Sequence, residues 1–226
     1  MKIKVVVATR ASEDEFFSST ALGQSLRHSM PSHVDVRLFS ENTLGLPLLY
    51  NLAIDECVEE PSVLVFMHDD LYLLDYFWSS RILDGLDQFD VIGLAGNTRR
   101  VPKQPSWAFV SDQFQWDDFQ FLSGVLAHGK GFLPDEISAY GPPRQRVQLI
   151  DGVFIAVRSQ TMIENKIRFD ERFDFHFYDM DLCRQLEAAG LSVGTWDIAA
   201  QHGSGGNFLS ESWRGSYAKY MEKWHD

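Results

Sequence analysis

The sequence predicts an α/β fold in which a central, largely parallel sheet is flanked by helices. Two observations carry this. The first hundred residues alternate short β-branched runs with stretches of helical period, in the manner of βαβ units. Several of the strand-like runs are apolar throughout, as strands covered on both faces are. With 226 residues, 45% of them apolar, the chain can also bury a substantial core.

Ile3–Ala8 is short and β-branched and reads as a buried central strand. Val34–Phe39 alternates and reads as a second strand, ending at Ser40-Glu41-Asn42. Gly45 and Pro47 open a helix, with Pro47 suited to the first turn, where its missing N–H costs nothing. Leu48, Leu49, Leu52, Ala53 and Ile54 supply its apolar stripe, and Pro61 follows its end. Ser62–Met67 is another apolar strand, running directly into His68-Asp69-Asp70, and Val91–Ala95 is a fourth.

Between Gly96 and Gly141 the periodicity fails. Trp107, Trp116, several Phe and a cluster of prolines occur there without a clean repeat, which predicts an irregular insertion over residues 96–146 of a single domain spanning 1–226. Order resumes in Val147–Val157, a strand interrupted at Asp151-Gly152. Asp181–Ala189 reads as a helix, since Leu182, Cys183, Leu186 and Ala189 share a face and Gly190 ends it. Leu191–Trp196 returns as a strand. From Ser212, the residues Trp213, Tyr217, Tyr220, Met221 and Trp224 fall at helical spacing and predict an amphipathic final helix.

Composition narrows the function. A net charge of −12 argues against a nucleic-acid binder, which needs a basic face to displace counterions from phosphates. Cys57 and Cys183 lack the CxxC spacing of zinc or redox sites and read as reduced core thiols. The first residues offer only about five apolar positions before charge returns, too few for a signal-peptide core. No window approaches the roughly 20 apolar residues of a membrane span. A cytoplasmic protein without a transmembrane segment is the expectation.

Three constellations could carry chemistry. His68-Asp69-Asp70 lies at the carboxyl end of an apolar strand, where open α/β sheets bind ligands. Side chains two apart on a strand project to one side, so His68 and Asp70 could address one point while Asp69 faces away. The cheaper reading makes Asp69 or Asp70 an N-cap of the segment that follows. Asp179-Met180-Asp181 stands at the mouth of the late helix, where capping explains one carboxylate and leaves the other free to act as a general base. The aromatics around it, Phe173, Phe175, Phe177 and Tyr178, suit either a dry sugar pocket or plain core. After the last strand, Gln201-His202-Gly203-Ser204-Gly205-Gly206-Asn207 combines a potential metal ligand, His202, with a glycine loop that could cradle an anion or simply turn the chain.

Taken in order, these pieces resemble the glycosyltransferase family 2-like proteins with the GT-A fold. The resemblance is carried by Asn42-Thr43-Leu44-Gly45 through Tyr50-Asn51-Leu52-Ala53 and by Val65-Phe66-Met67-His68-Asp69-Asp70-Leu71-Tyr72. It continues in Leu149-Ile150-Asp151-Gly152-Val153-Phe154, in Phe175 to Cys183, and in His202-Gly203-Ser204-Gly205-Gly206. It implies a GT-A fold with a central mixed, mostly parallel sheet. It also implies a metal-dependent transferase of hexosyltransferase type, moving a sugar from a nucleotide-sugar donor to the hydroxyl of a glycan, lipid-linked or protein acceptor by inverting displacement.

On this resemblance Asp70, His202 and His68 hold Mn²⁺ or Mg²⁺, and Asp179 is the base. His68 replaces the first carboxylate of the family's D-x-D element, and Tyr178 stands where the family has Glu. Thr9, Arg10, Glu41, Asn42, Asn51, Asp69, Asp151 and Gly152 would contact the donor. Two alternatives remain open. A nucleotidyltransferase of related architecture would want a glycine-rich loop after the first strand, where this chain has Ala8-Thr9-Arg10-Ala11-Ser12. A non-catalytic sugar- or nucleotide-binding module would keep the fold without turnover.

Overall fold

The computed structural model describes residues 2–131 and 133–225. The chain opens with β1 (Ile3–Ala8), α1 (Glu13–Ser19), α2 (Ala21–Ser29), β2 (Val34–Phe39), α3 (Leu46–Asp55) and β3 (Val63–Met67). It continues through β4 (Leu71–Leu73), α4 (Trp78–Leu86), β5 (Val91–Gly93) and β6 (Ala95–Asn97). A 3-10 turn at Phe119–Phe121 leads into β7 (Leu122–His128), β8 (Glu136–Gly141), β9 (Arg146–Val147), β10 (Leu149–Ile150) and β11 (Phe154–Arg158). Last come α5 (Ser159–Glu164), α6 (Tyr178–Ala188), β12 (Val193–Thr195), β13 (Ala200–His202) and α7 (Glu211–Trp224).

Two sheets share one core. The larger runs β2-β1-β3-β11-β5-β12-β9 and is mixed: β2, β1 and β3 are parallel, as are β5 and β12, while β11 lies antiparallel between β3 and β5. Every residue of β3 is fully buried, which explains its unbroken apolar sequence. Each such Val, Leu, Phe or Met contributes roughly 1.5–3 kcal/mol of transfer free energy. The second sheet runs β10-β6-β7-β13-β4, with β8 paired to β7.

Among the described residues the chain passes from one sheet to the other seven times, among them at His68–Asp70, at Leu94, at Asp151–Val153, and between β12 and β13. These crossings leave polar side chains at a seam instead of in a ladder. Val91–Ala95, expected as one strand, is therefore two, each serving a different sheet.

The stretch 96–146 departs from its expected irregularity. β7 and β8 form an antiparallel pair there, with a bulge between Gly124 and Val125. The outer strand β8 is largely exposed, Ile137 included, so its short Glu136–Ala139 alternation does not mark a buried face. Residues 98–118 remain a loop, anchored from beneath by the buried Asn97, whose amide donates to the Trp107 carbonyl (3.0 Å) and to Asp117 (2.9 Å).

Helices differ in smaller ways. The buried face of α3 is Leu46, Leu49, Tyr50, Ala53 and Ile54, while Leu52 is exposed. α1, absent from the sequence reading, starts at a capping box in which Ser12 and Glu15 exchange backbone and side-chain hydrogen bonds. α6 begins at Tyr178, earlier than its apolar spacing suggests. Cys57 and Cys183 are buried free thiols. Among the described residues no helix is long and apolar enough to cross a membrane.

Candidate active site

The seam between the sheets gathers the polar residues. β3 ends at Met67, the His68 amide donates to Val153 O (3.1 Å), and the chain turns through Asp69 and Asp70 into β4. β13, paired antiparallel to β4, brings His202 opposite Leu71, and the Gly203 amide donates to Asp70 O (2.9 Å). One ligand atom each from His68, Asp70 and His202 consequently lie within 4.8 Å of one another. His202 Nε2 is 3.3 Å from Asp70 Oδ1 and 3.2 Å from Ser204 Oγ.

The electrostatics of this cluster follow from its geometry. Burial raises the Asp70 carboxyl, but the hydrogen bond and charge of His202 outweigh burial and bring it down to about 2. Burial likewise lowers His202, and Asp70 more than reverses that, leaving it raised. His68, partly buried and with His202 close by, is lowered from its ordinary value, desolvation being the largest cause. Two imidazoles and a carboxylate form a donor set that fits a divalent cation such as Mn²⁺.

Asp70 lines a cavity of about 400 Å³ together with Asp69, Gln201 and Gly203, and two further cavities lie close by, one reaching Asp69 and the other His68. The larger of these two, about 780 Å³, is walled by Thr9, Arg10, Asn42, Leu44, Asp69 and Asp174 among others. Its size suits a nucleotide. Thr9, at the end of β1, is buried and donates to Asp69 Oδ2 (2.6 Å), so Asp69 faces this cavity while Asp70 faces His202. The smaller cavity contains Asp151, Gly152 and Asp179 with His68 and Trp107. Phe175, His176 and Asn207 line both cavities and form the partition between them. His176 and Asn207 were not singled out from the sequence, although both lie inside motifs that were.

Asp179 is partly buried on the first turn of α6. Its Oδ2 accepts from Gly152 N (3.0 Å) and its Oδ1 from Met180 N (2.8 Å). Burial, reinforced by the charge of Asp151, pushes its carboxyl up to about 7. Asp151 is held by Val153 N (2.8 Å) and by the Trp107 indole (2.6 Å), which ties the 98–118 loop to the site. Gly152 has no room for a side chain, because a Cβ there would lie 2.5 Å from the Tyr178 hydroxyl. Asp181, the expected alternative cap, is instead fully buried and receives Lys223 (2.6 Å), Trp224 (2.9 Å) and Gln185 (2.8 Å).

Of the residues expected at the donor, Asn51 is placed elsewhere and Glu41 beside the cavity. Asn51 faces the core, where its amide donates to Phe169 O (2.9 Å) and Glu171 (3.0 Å) and accepts from Phe169 N (2.9 Å). It staples the 169–171 loop to α3 and has no surface toward either cavity. Glu41 sits in a left-handed backbone conformation (φ 49°) with its amide on Ala11 O, next to Asn42 of the larger cavity's wall. In the glycine loop, the Gly203 amide is occupied by Asp70 O, and Gly205 has open space around it.

Comparison with known proteins agrees with this layout. No curated protein sequence matches the chain. Among solved structures it is similar to residues 1–349 of S. aureus TarS, with a TM-score of 0.50 and 14% identity over 90% of this chain. The chain spans 60% of the length of that structure, and at such identity the likeness is one of fold. Residues 46–202 match the profile of a glycosyltransferase-like family, over a stretch running from the start of α3 to His202. The chain belongs to this glycosyltransferase-like family and has the mixed α/β, GT-A-type fold of family 2-like glycosyltransferases.

Proposed function

We propose that the protein is a metal-dependent glycosyltransferase that moves a sugar from a nucleotide-sugar donor to an acceptor hydroxyl with inversion. The observation that carries this reading is the convergence of His68, Asp70 and His202 between a nucleotide-sized cavity and a cavity holding a carboxylate poised near neutrality. The nucleoside would occupy the larger cavity, against Thr9, Arg10, Asn42 and Asp69. Asp70, His202 and His68 would hold the cation, which supplies positive charge against the departing diphosphate. Two imidazoles favour Mn²⁺ over the harder Mg²⁺.

Asp179 would accept the proton of the acceptor hydroxyl as that oxygen attacks the anomeric carbon. A carboxylate near pH 7 is suited to this: it is ionised in a useful fraction and still basic enough to take the proton. Asp151 raises its basicity, and the Gly152 amide helps to fix its position. Attack from the side opposite the leaving group inverts the anomeric centre. The buried free thiols support a reducing, cytoplasmic setting.

Thermal shift with nucleoside diphosphates, with and without Mn²⁺, tests the reading. Stabilisation that needs both partners and vanishes in Asp70→Ala supports it, because a ligand that binds only the native state raises its stability by mass action. Nucleotide binding indifferent to Mn²⁺ and to Asp70→Ala would remove the metal from the proposal.

A further inference from the structure

The small cavity around Asp179 has a wall that restricts what can enter it. Trp107, Phe175, Phe208 and Trp213 line it, and its carboxylates are Asp151 and Asp179. Among the described residues no Lys or Arg lines it. An acceptor carrying phosphate or uronate groups would bring negative charge to two carboxylates, with only the His68 and His176 imidazoles among the lining side chains to oppose it, in a chain whose net charge is already −12. A pyranose ring has the complementary character, with an apolar C–H face for an aromatic ring and hydroxyls at its edge for Ser106 and Asn207.

The aromatic wall does not stop at the rim. Trp107 meets Tyr140 edge-on at 5.0 Å, and Tyr140 stacks on Trp116 at 5.9 Å with an interplanar angle of 20°. From the other side Phe208 meets Phe109 at 5.5 Å, and Phe109 meets Trp116 at 4.9 Å. Trp116 is thus joined to two residues of the cavity wall through a single ring each. It is 47% exposed, far more than the 8% of Trp107, and so offers an accessible indole within two ring contacts of that wall.

We infer that the acceptor is a neutral oligosaccharide, with its terminal sugar in the cavity against Phe208 and the next sugar resting on Trp116. This rests on the sugar-transfer reading and narrows its acceptor to one chemical class. Peptide and anionic acceptors become outcomes of the test.

The protein is titrated, by intrinsic tryptophan fluorescence, with neutral gluco-, galacto- and chito-oligosaccharides from the monosaccharide upward. Oligogalacturonates and Ser/Thr peptides are run in parallel. At least one neutral series is expected to bind more tightly from the disaccharide on. Trp116→Ala should lose that increment, roughly tenfold, while Trp116→Phe keeps most of it and melting temperature confirms that both variants fold. Binding carried by the anionic or peptide ligands overturns the inference, as does silence across the neutral series or a gain unchanged in Trp116→Ala. Nucleoside diphosphate binding with Mn²⁺ is read on the same samples. If nucleotide binds and no neutral glycan does, the acceptor inference fails alone; if glycan binds and nucleotide does not, the donor reading fails alone.

Discussion

The hydroxyl of Tyr178 lies 2.9 Å from His68 Nε2 and donates its own proton to the carbonyl of Gly152 at 2.8 Å. A phenol has one proton, so His68 Nε2 must carry the hydrogen of the His68–Tyr178 bond. That tautomer leaves Nδ1 with the lone pair a metal needs. Tyr178, at first sight a departure from the family's Glu, thus orients His68, the proposed metal ligand, through this hydrogen bond.

The Tyr178→Phe variant should therefore bind Mn²⁺ about 10–100-fold more weakly, as loss of an outer-shell partner generally costs. Calorimetric titration with Mn²⁺ measures this. Affinity within twofold of the parent would mean that His68 is oriented by other contacts, such as the Phe175 ring stacked on it at 5.5 Å.

Asp179→Asn should lower transfer by about 10²–10⁴-fold while nucleotide affinity holds. In the parent, turnover should rise as pH increases through 7, since the base works only when ionised and its carboxyl sits at about 7. Asp151→Asn removes the neighbouring charge and should move this limb to lower pH. Rate profiles in buffers of constant ionic strength distinguish the three proteins.

The same carboxyl has a stability consequence of opposite sign. Its folded value is raised above the ordinary 3.8, so between about pH 4 and 7 the folded state binds more protons than the unfolded one. Stability contributed by this group is present below that window and lost as pH rises through it. At pH 8 Asp179→Asn should be more stable than the parent by roughly 2–4 kcal/mol, a difference that shrinks toward pH 4. Chemical denaturation at the two pH values gives both numbers.

Lys223→Met should destabilise by roughly 3 kcal/mol, because Lys223 pairs with the fully buried Asp181 and also with Asp170. Denaturant unfolding checks it. A change under about 1 kcal/mol would show that Trp224 and Gln185 suffice to compensate the buried charge.

Asn51→Ala separates the corrected residue from the site. With three hydrogen bonds into the 169–171 loop lost, stability should fall by roughly 2–3 kcal/mol, and nucleotide-induced thermal shifts should keep their size.

How much of this was legible in the sequence depends on what each residue answers to. β1, β2 and β3 were readable because burial on both faces, or clean alternation, leaves a local signature in Ile3–Ala8, Val34–Phe39 and Val63–Met67. The meeting of Asp70 and His202 was accessible only through motif order, since β4–β13 pairing joins residues remote in sequence. Asn51 shows the limit of that route: a polar residue inside a matching motif satisfied the core. The Ser12–Glu15 capping box was present in the letters and overlooked. The β7–β8 pair was not, because the short alternation in the exposed β8 does not mark a buried face.

The chain's repeated passage between two sheets also dictates when the proposed metal site can exist. His68 and Asp70 arrive on the first crossing and His202 on the last, so neither half of the polypeptide contains a usable set of ligands. Contacts so remote along the chain form late and slowly. The cation should therefore bind only molecules that have finished folding, acting as a ratchet on the completed native state instead of a nucleus for it.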